Sequence, residues 1–262
     1  MAGAQMTTWD MRLRAIPGMP RIHTGDELGR LIADAIACDG HVLQPGDVLV
    51  VAQKIVSKAE GRIVSLDSVT PGDRAEELAH RTGRDPRLCE LILTESQDVL
   101  AIFGRHIITL DNRGIVDTSG GVDSSNAGPF AEGWACLLPV DPDRSARTIR
   151  DDLHALTGIR PAVIISDSLG QQWREGSSGA AIGLAGIAGL ERPVPGDKDL
   201  DGNPAWGDIN RVDELAAAAS ALMGQSGAAT PVVLIRGATY TPDENATMHD
   251  LLIRVPQAQE LL

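Results

Sequence analysis

Two aspartates carry the chemistry that can be read most directly from this chain. Asp123 lies in Val-Asp-Ser-Ser-Asn-Ala-Gly (122 to 128), and Asp167 in Ile-Ile-Ser-Asp-Ser-Leu-Gly (164 to 170). Each sets a carboxylate among hydroxyl or amide neighbours in a loop-like setting, a hard-oxygen donor set suited to a divalent cation and to phosphate oxygens. From spacing alone, Asp123 to Asn126 fits an Asx turn equally well, because Asp and Asn bond local backbone groups. The pairing with Asp167 and Ser168 favours the metal reading.

Gln53 and Lys58 follow the buried run Asp47-Val-Leu-Val-Val-Ala52. They read either as solvated residues at a strand end or as nucleotide contacts, since a lysine there can meet a phosphate. Arg174, in Trp173-Arg-Glu-Gly176, has a planar fork that holds a carboxylate or phosphate. The Gly and Ala positions that follow, 180 to 187, read as close backbone packing. The chain has no GxxxxGK[ST], no HExxH and no GxSxG, and its six histidines are scattered.

The composition narrows the class. The formal net charge of -13 argues against a general nucleic-acid binder, which needs clustered Lys and Arg. Any anionic ligand must then be held by metal ions and a few local cations. Cys38, Cys89 and Cys136 show no CxxC spacing, so neither a disulfide framework nor a zinc site is expected, and a reducing cytoplasm is the expected setting. No stretch approaches the roughly 20 apolar residues of a membrane span, and the first residues show no signal-peptide pattern. With aromatic residues at 3%, the core must be built from Val, Ile, Leu and Ala.

The elements that must position the two aspartates follow from periodicity. A buried strand is expected over 47–52, a polar segment over 53–61 and a further strand over 62–66. Short helices are expected over 73–82 and 86–94, the second opening with Pro86 after Asp85. Strand-like runs occupy 98–103 and 106–110. The stretch 111–128 is too rich in Gly, Asp and Asn to be a long helix or strand, and reads as a functional loop. A helix near 143–157 leads to a strand at 162–166, which leaves Asp167 at the carboxyl end of a buried strand. A Gly, Pro and Asp-rich loop at 191–209, a helix at 211–223 and a strand at 231–236 complete the order. No repeat or linker marks independent domains.

Taken together, these segments resemble the coenzyme F420-0:L-glutamate ligase family. The resemblance rests on Gly46-Asp-Val-Leu-Val-Val-Ala-Gln-Lys-Ile-Val-Ser-Lys-Ala-Glu-Gly61, Gly120-Gly-Val-Asp-Ser-Ser-Asn-Ala-Gly128, Ile165-Ser-Asp-Ser168 with Trp173-Arg-Glu-Gly176, Ala181-Ile-Gly-Leu-Ala-Gly-Ile187, and Asp213-Glu-Leu-Ala-Ala-Ala-Ala219 through Met223-Gly-Gln225. It implies a mixed α/β (α+β) fold of two interleaved lobes, a single ligase unit over 1–262, an intertwined homodimer whose interface contributes to the active site, and no C-terminal nitroreductase-like domain.

The resemblance also implies GTP-dependent ligation of L-glutamate to a deazaflavin coenzyme precursor through an acyl phosphate. Asp123 and Asp167 would hold one Mg2+ or Mn2+, with Ser168 and Gln225 at a second, and K+ is an open further requirement. GTP would meet Met19, Pro20, Arg21, Ile22, Gln53, Lys58 and Asn126, together with Met223, Gly224, Gln225, Ser226, Gly227, Ala228, Ala229 and Thr230. Lys58 and Arg174 are the catalytic candidates.

Two departures bear on the acceptor. Gly170-Gln-Gln-Trp-Arg174 stands where the family usually has a Gly-Arg-Pro-Trp-Arg-like run, and Pro195-Gly-Asp-Lys-Asp-Leu-Asp-Gly-Asn203 replaces an arginine-rich, tyrosine-containing loop. The alternatives are therefore a GTP-dependent ligase for another carboxylate acceptor, a non-catalytic nucleotide-binding protein, and a plain GTP phosphohydrolase.

Overall fold

The computed structural model describes residues 10–125, 127–128, 133–170, 174–194, 196, 198–204, 207–224 and 229–252. Along the chain run β1 (Arg12–Ala15), α1 (Leu28–Cys38), β2 (Val48–Ala52), α2 (Gln53–Ala59), β3 (Ile63–Ser65), α3 (Asp73–Thr82), α4 (Pro86–Thr94), β4 (Ser96–Phe103), β5 (His106–Asp111) and β6 (Val116–Thr118). They are followed by β7 (Trp134–Cys136), α5 (Pro142–Thr157), β8 (Ala162–Gly170), β9 (Ser177–Ala185), β10 (Leu190–Glu191), β11 (Ile209–Asn210), α6 (Arg211–Met223) and β12 (Val232–Arg236).

The main sheet has the order β1-β12-β2-β8-β9, parallel between β2 and β8 and antiparallel elsewhere. Its central strands are apolar on both faces because both faces are covered. Leu49, Val51, Val163, Ile165, Val232 and Leu234 pack with Ile32 and Ile36 of α1 and with Ile149 and Leu153 of α5. Val48, Val50, Ala162, Ile164, Val233 and Ile235 pack with Val212, Leu215, Ala216 and Ala219 of α6. The period-two alternation within each strand sorts neighbouring residues onto opposite helical layers.

Strand β9 is an edge of this sheet, yet helices pack closely on both of its faces. Its register against β8 slips between Ile165 and Ser166, which pair with Gly183 and Ala181, so Ile182 is the extra, bulged residue. The bulge changes the phase of the strand. Gly179 faces α6, where a side chain would meet the Ala216 carbonyl, whereas Gly183 faces α5, where a side chain would collide with Pro142. The N–H groups of Ala181 and Leu184 donate to Asp213 and Asp143 in the first turns of α6 and α5, each at 2.8 Å. Two helix-borne carboxylates thus satisfy backbone donors on β9. Within 180–187, Gly183 is the position where close backbone approach requires a small residue, as expected for this stretch.

The second lobe is built from chain between α2 and α5. A three-stranded antiparallel sheet, β4-β5-β6, packs Ile107 against Ala75, Leu78 and Ala79 of α3 and Cys89 and Ile92 of α4. Strands β3 and β7 pair beside it. Asp85 caps α4 by accepting the Arg87 N–H at 2.8 Å, with Pro86 opening the helix. The mixed α/β class expected from the sequence is the observed one.

Two local expectations need correction. The polar segment 53–61 contains the helix α2, because Ile55, Val56 and Ala59 recur at helical spacing and pack against the main core. Strand β8 runs to Gly170, beyond the expected end at 166, since β9 continues to pair with it through Ser177. Asp167 therefore lies within β8, one residue past its last pairing with β2, Ala52 to Ser166. The sequence reading also left β1, α1 and β9 unassigned.

The contact between β9 and α5 gives a direct test. Gly183→Ala introduces a methyl group against the Pro142 backbone, and overpacking of this kind costs roughly 1–3 kcal/mol. Thermal melts should show a lowered Tm for Gly183→Ala. An unchanged Tm would mean that the approach of α5 to the strand is not tight.

Candidate active site

The carboxyl end of β2, helix α2, residues 166–168 of β8 and the segment 118–125 of the second lobe enclose a cleft of about 540 Å³. Its charged lining consists of Arg21, Lys54, Lys58 and Arg84 against Asp123 and Asp167, so an acidic chain keeps a local excess of positive charge. Such a cleft favours an anionic ligand.

Helix α2 supplies the polar groups in pairs. Lys54 and Lys58, four residues apart, both line the cleft. Gln53 and Ser57, also four apart, lie in the interior, where the Ser57 hydroxyl donates to Gln53 Oε1 at 2.8 Å. That bond directs the amide nitrogen of Gln53 outward, and it hydrogen-bonds the Asp167 carboxylate. Cys136, whose thiol meets Ser57, exchanges both backbone hydrogen bonds with Asp123 at 3.0 and 2.7 Å. A buried relay, Cys136 to Ser57 to Gln53, thereby connects the positions of the two aspartates.

The electrostatics are those of two carboxylates held close. Burial pushes Asp167 above the usual carboxylate range; the Ser168 N–H, donating at 2.8 Å, opposes this, and the charge of Asp123 adds to it. Burial also acts on Asp123, but the Lys54 ammonium at 2.6 Å and the Ser125 N–H at 2.6 Å outweigh it and hold Asp123 below the usual range. Lys58 forms no ion pair among the described residues. Burial lowers its pKa, with Cys136 opposing and Lys54 and Arg21 reinforcing. A lysine with neighbouring cations and no carboxylate partner is available to a phosphate.

The structure brings most of the sequence-derived candidates together. Met19, Pro20, Arg21, Ile22, Gln53, Lys58, Asp123, Asp167, Ser168, Met223, Gly224, Ala229 and Thr230 all line this one cleft. Arg174 is exposed on the bend between β8 and β9 and is not part of the lining. Asn126, Gln225, Ser226, Gly227 and Ala228 lie outside the described residues. Sequence reasoning missed Lys54, Ser125, Arg84 and Ser119. Lys54 was detectable from its four-residue offset to Lys58 once 53–59 is a helix, whereas Arg84 carries no local signal because it reaches the cleft from the turn between α3 and α4.

Beneath the 118–121 turn lies Asp117, buried to 5% exposure. Its Oδ1 accepts from the Thr109 hydroxyl at 2.7 Å, and Oδ2 has no partner among the described residues. Burial pushes its carboxyl up to about 7; the Thr109 bond opposes this, and Asp111 and Asp167 add to it. The folded chain thus keeps a proton that the unfolded chain loses near pH ~3.9, so the stabilisation is complete below that pH and is lost as pH rises towards 7. Asp117→Asn should raise the Tm at pH 8, by the equivalent of at most about 4 kcal/mol, with the advantage vanishing near pH 4. A pH-independent difference in thermal melts would contradict this assignment.

Comparison with known proteins identifies the family of the chain. The family model for F420-0:gamma-glutamyl ligase matches residues 18–237. The coenzyme F420:L-glutamate ligase of Methanopyrus kandleri is 42% identical over 233 residues, covering 87% of this chain and 87% of its own. That of Methanothermobacter thermautotrophicus is 42% identical over 229 residues, 86% of this chain and 88% of its own, and that of Archaeoglobus fulgidus 39% over 230 residues, 87% and 88%. The matched span carries every cleft-lining residue named above, and the chain belongs to the F420-0:gamma-glutamyl ligase family.

Proposed function

We propose that this protein is a GTP-dependent ligase that joins L-glutamate to the carboxylate of coenzyme F420-0, releasing GDP and phosphate. The observation that carries the reading is the convergence of Asp123, Asp167 and the unpaired Lys58 in one cleft within a chain of this family. The relatives' shared name, coenzyme F420:L-glutamate ligase, supplies the substrate pair.

A carboxylate resists amine attack because oxide is a poor leaving group. Transfer of the γ-phosphoryl group of GTP to a carboxylate oxygen of the acceptor gives an acyl phosphate and GDP. The glutamate nitrogen then attacks the acyl carbon, the C–O bond to phosphate breaks, and the nitrogen loses a proton to give the amide. Lys58, with Arg21 beside it, neutralises charge on the phosphate oxygens. Residues 19–22 and 223–230 hold the nucleotide.

The donor set of the cleft fits divalent ions. Asp123 and Asp167 are hard-oxygen ligands; burial, with a smaller part from the charge of Asp123, raises the pKa of Asp167, and a cation would relieve both. Asp123 and Asp167 would hold one Mg2+ or Mn2+, with Ser168 and Gln225 at a second. When bound, the ions supply charge neutralisation and alignment of the phosphate oxygens. The reading includes a homodimer and leaves a K+ requirement to assay.

A second reading keeps the chemistry and changes the acceptor. It is favoured by Gln171 and Gln172 in place of an Arg-Pro pair and by the position of Arg174 outside the cleft lining.

The test is a mass-spectrometric ligation assay with GTP, Mg2+ or Mn2+, L-glutamate and F420-0. The product should gain one or more glutamate residues, and Asp123→Asn should cut the rate by ~10²-fold or more. Turnover retained after complete chelation of divalent metal would overturn the mechanism, and turnover only with another carboxylate would select the second reading.

A further inference from the structure

The four cations of the cleft do not form one group. Lys54 and Lys58 come from α2 and Arg21 from the segment before α1, and the Lys54 ammonium is held by Asp123 at 2.6 Å and by the Ser125 carbonyl at 3.0 Å. Arg84 comes from the second lobe, and the charged neighbours that act on it are Cys89 and Arg105 rather than any of these. It is partly buried, and burial, its largest influence, lowers its pKa, with Arg105 reinforcing and Cys89 opposing. Among the described residues it pairs with no carboxylate; its one polar contact is Nη1 donating to Ser119 Oγ at 2.7 Å.

Ser119 is an unusual residue to hold that contact. Its φ is 66°, in the left-handed region that costs a residue with a side chain, and Gly120 and Gly121 follow at 61° and 67°. Glycine would relieve the strain at 119, but only a hydroxyl there meets the guanidinium. The turn is fixed from below as well, where the Gly120 N–H donates to Thr109 Oγ1 at 2.8 Å. A guanidinium aimed by a strained, braced turn and open to the cleft has the makings of an anion receptor.

We propose that Arg84, oriented by Ser119, forms a second anion subsite of the cleft, separate from Lys54, Lys58 and Arg21, that takes a carboxylate or phosphodiester of a substrate other than the nucleotide. The assignment rests on the ligase reading, in which two non-nucleotide substrates carry such groups: L-glutamate and the acceptor. Arg84 discriminates for one of them and acts through binding.

Isothermal titration calorimetry tests this without requiring turnover, with GTP, L-glutamate and F420-0 titrated separately into wild type, Arg84→Ala, Arg84→Lys and Ser119→Gly. Arg84→Ala should weaken either glutamate or F420-0 by ~10-fold or more, as expected for a lost charge-assisted hydrogen bond, and leave GTP unchanged. Which of the two weakens identifies the occupant. Arg84→Lys should recover part of the loss. Ser119→Gly, which relieves backbone strain and so should fold, should weaken the same ligand by a smaller factor with Tm unchanged or raised. Unchanged affinities in Arg84→Ala, absence of binding of both ligands to wild type, or a parallel loss of GTP affinity would overturn the subsite. Binding that follows the expected pattern in a wild type that does not ligate would retain the subsite and reject the ligase reading.

Discussion

Two carboxylates brought into one cleft repel each other, and the arrangement around them answers that repulsion. Asp123 is brought in by the second lobe and Asp167 by the main sheet. Lys54 offsets the first by a 2.6 Å ion pair, and Gln53 steadies the second through a hydrogen bond. Both helpers belong to α2, whose apolar residues are locked into the main core. At Asp123 the ammonium and the Ser125 N–H outweigh burial, whereas at Asp167 burial prevails over its hydrogen bonds, and that carboxylate is the one most receptive to further positive charge.

The rest of the molecule keeps those groups in place. The parallel β2–β8 pairing ends at Ala52 and Ser166, so α2 and Asp167 begin side by side where it stops. The bulge at Ile182 lets β9 fit α6 and α5 on opposite faces immediately next to this point. From the other lobe, the backbone pairing of Asp123 with Cys136 ties the aspartate to β7. The floor of the cleft is therefore made by α2 and the ends of β2 and β8, and connecting segments, among them residues 19–22 and 119–125, complete it.

Much of this was legible in the sequence. The continuous apolar runs at 48–51 and 162–165 announced buried strands, and the Asp85-Pro86 pair announced the start of α4, because burial and capping leave local signatures. Asp123 and Asp167 stood out by their own neighbours, whereas the place of Met19 to Ile22 in the same cleft was implied only by the family resemblance. What was not legible was set by tertiary context. Helix α2 is seven residues long and its pattern is brief, so its apolar spacing reads as a polar connection. The extension of β8 past Ser166 depends on β9, and Arg84 enters the cleft only because α3 and α4 fold against β5. The roles of Asn126 and of Gln225 to Ala228 remain those implied by the family resemblance.

The central claim is that Asp123 and Asp167 together form a divalent-cation site in a nucleotide cleft. Electron paramagnetic resonance of free Mn2+, titrated with wild type, Asp123→Asn and Asp167→Asn in the absence of substrate, tests it most directly. The account predicts saturable binding by wild type that falls sharply in both variants while their thermal stability persists. Equal Mn2+ binding by all three proteins would contradict it.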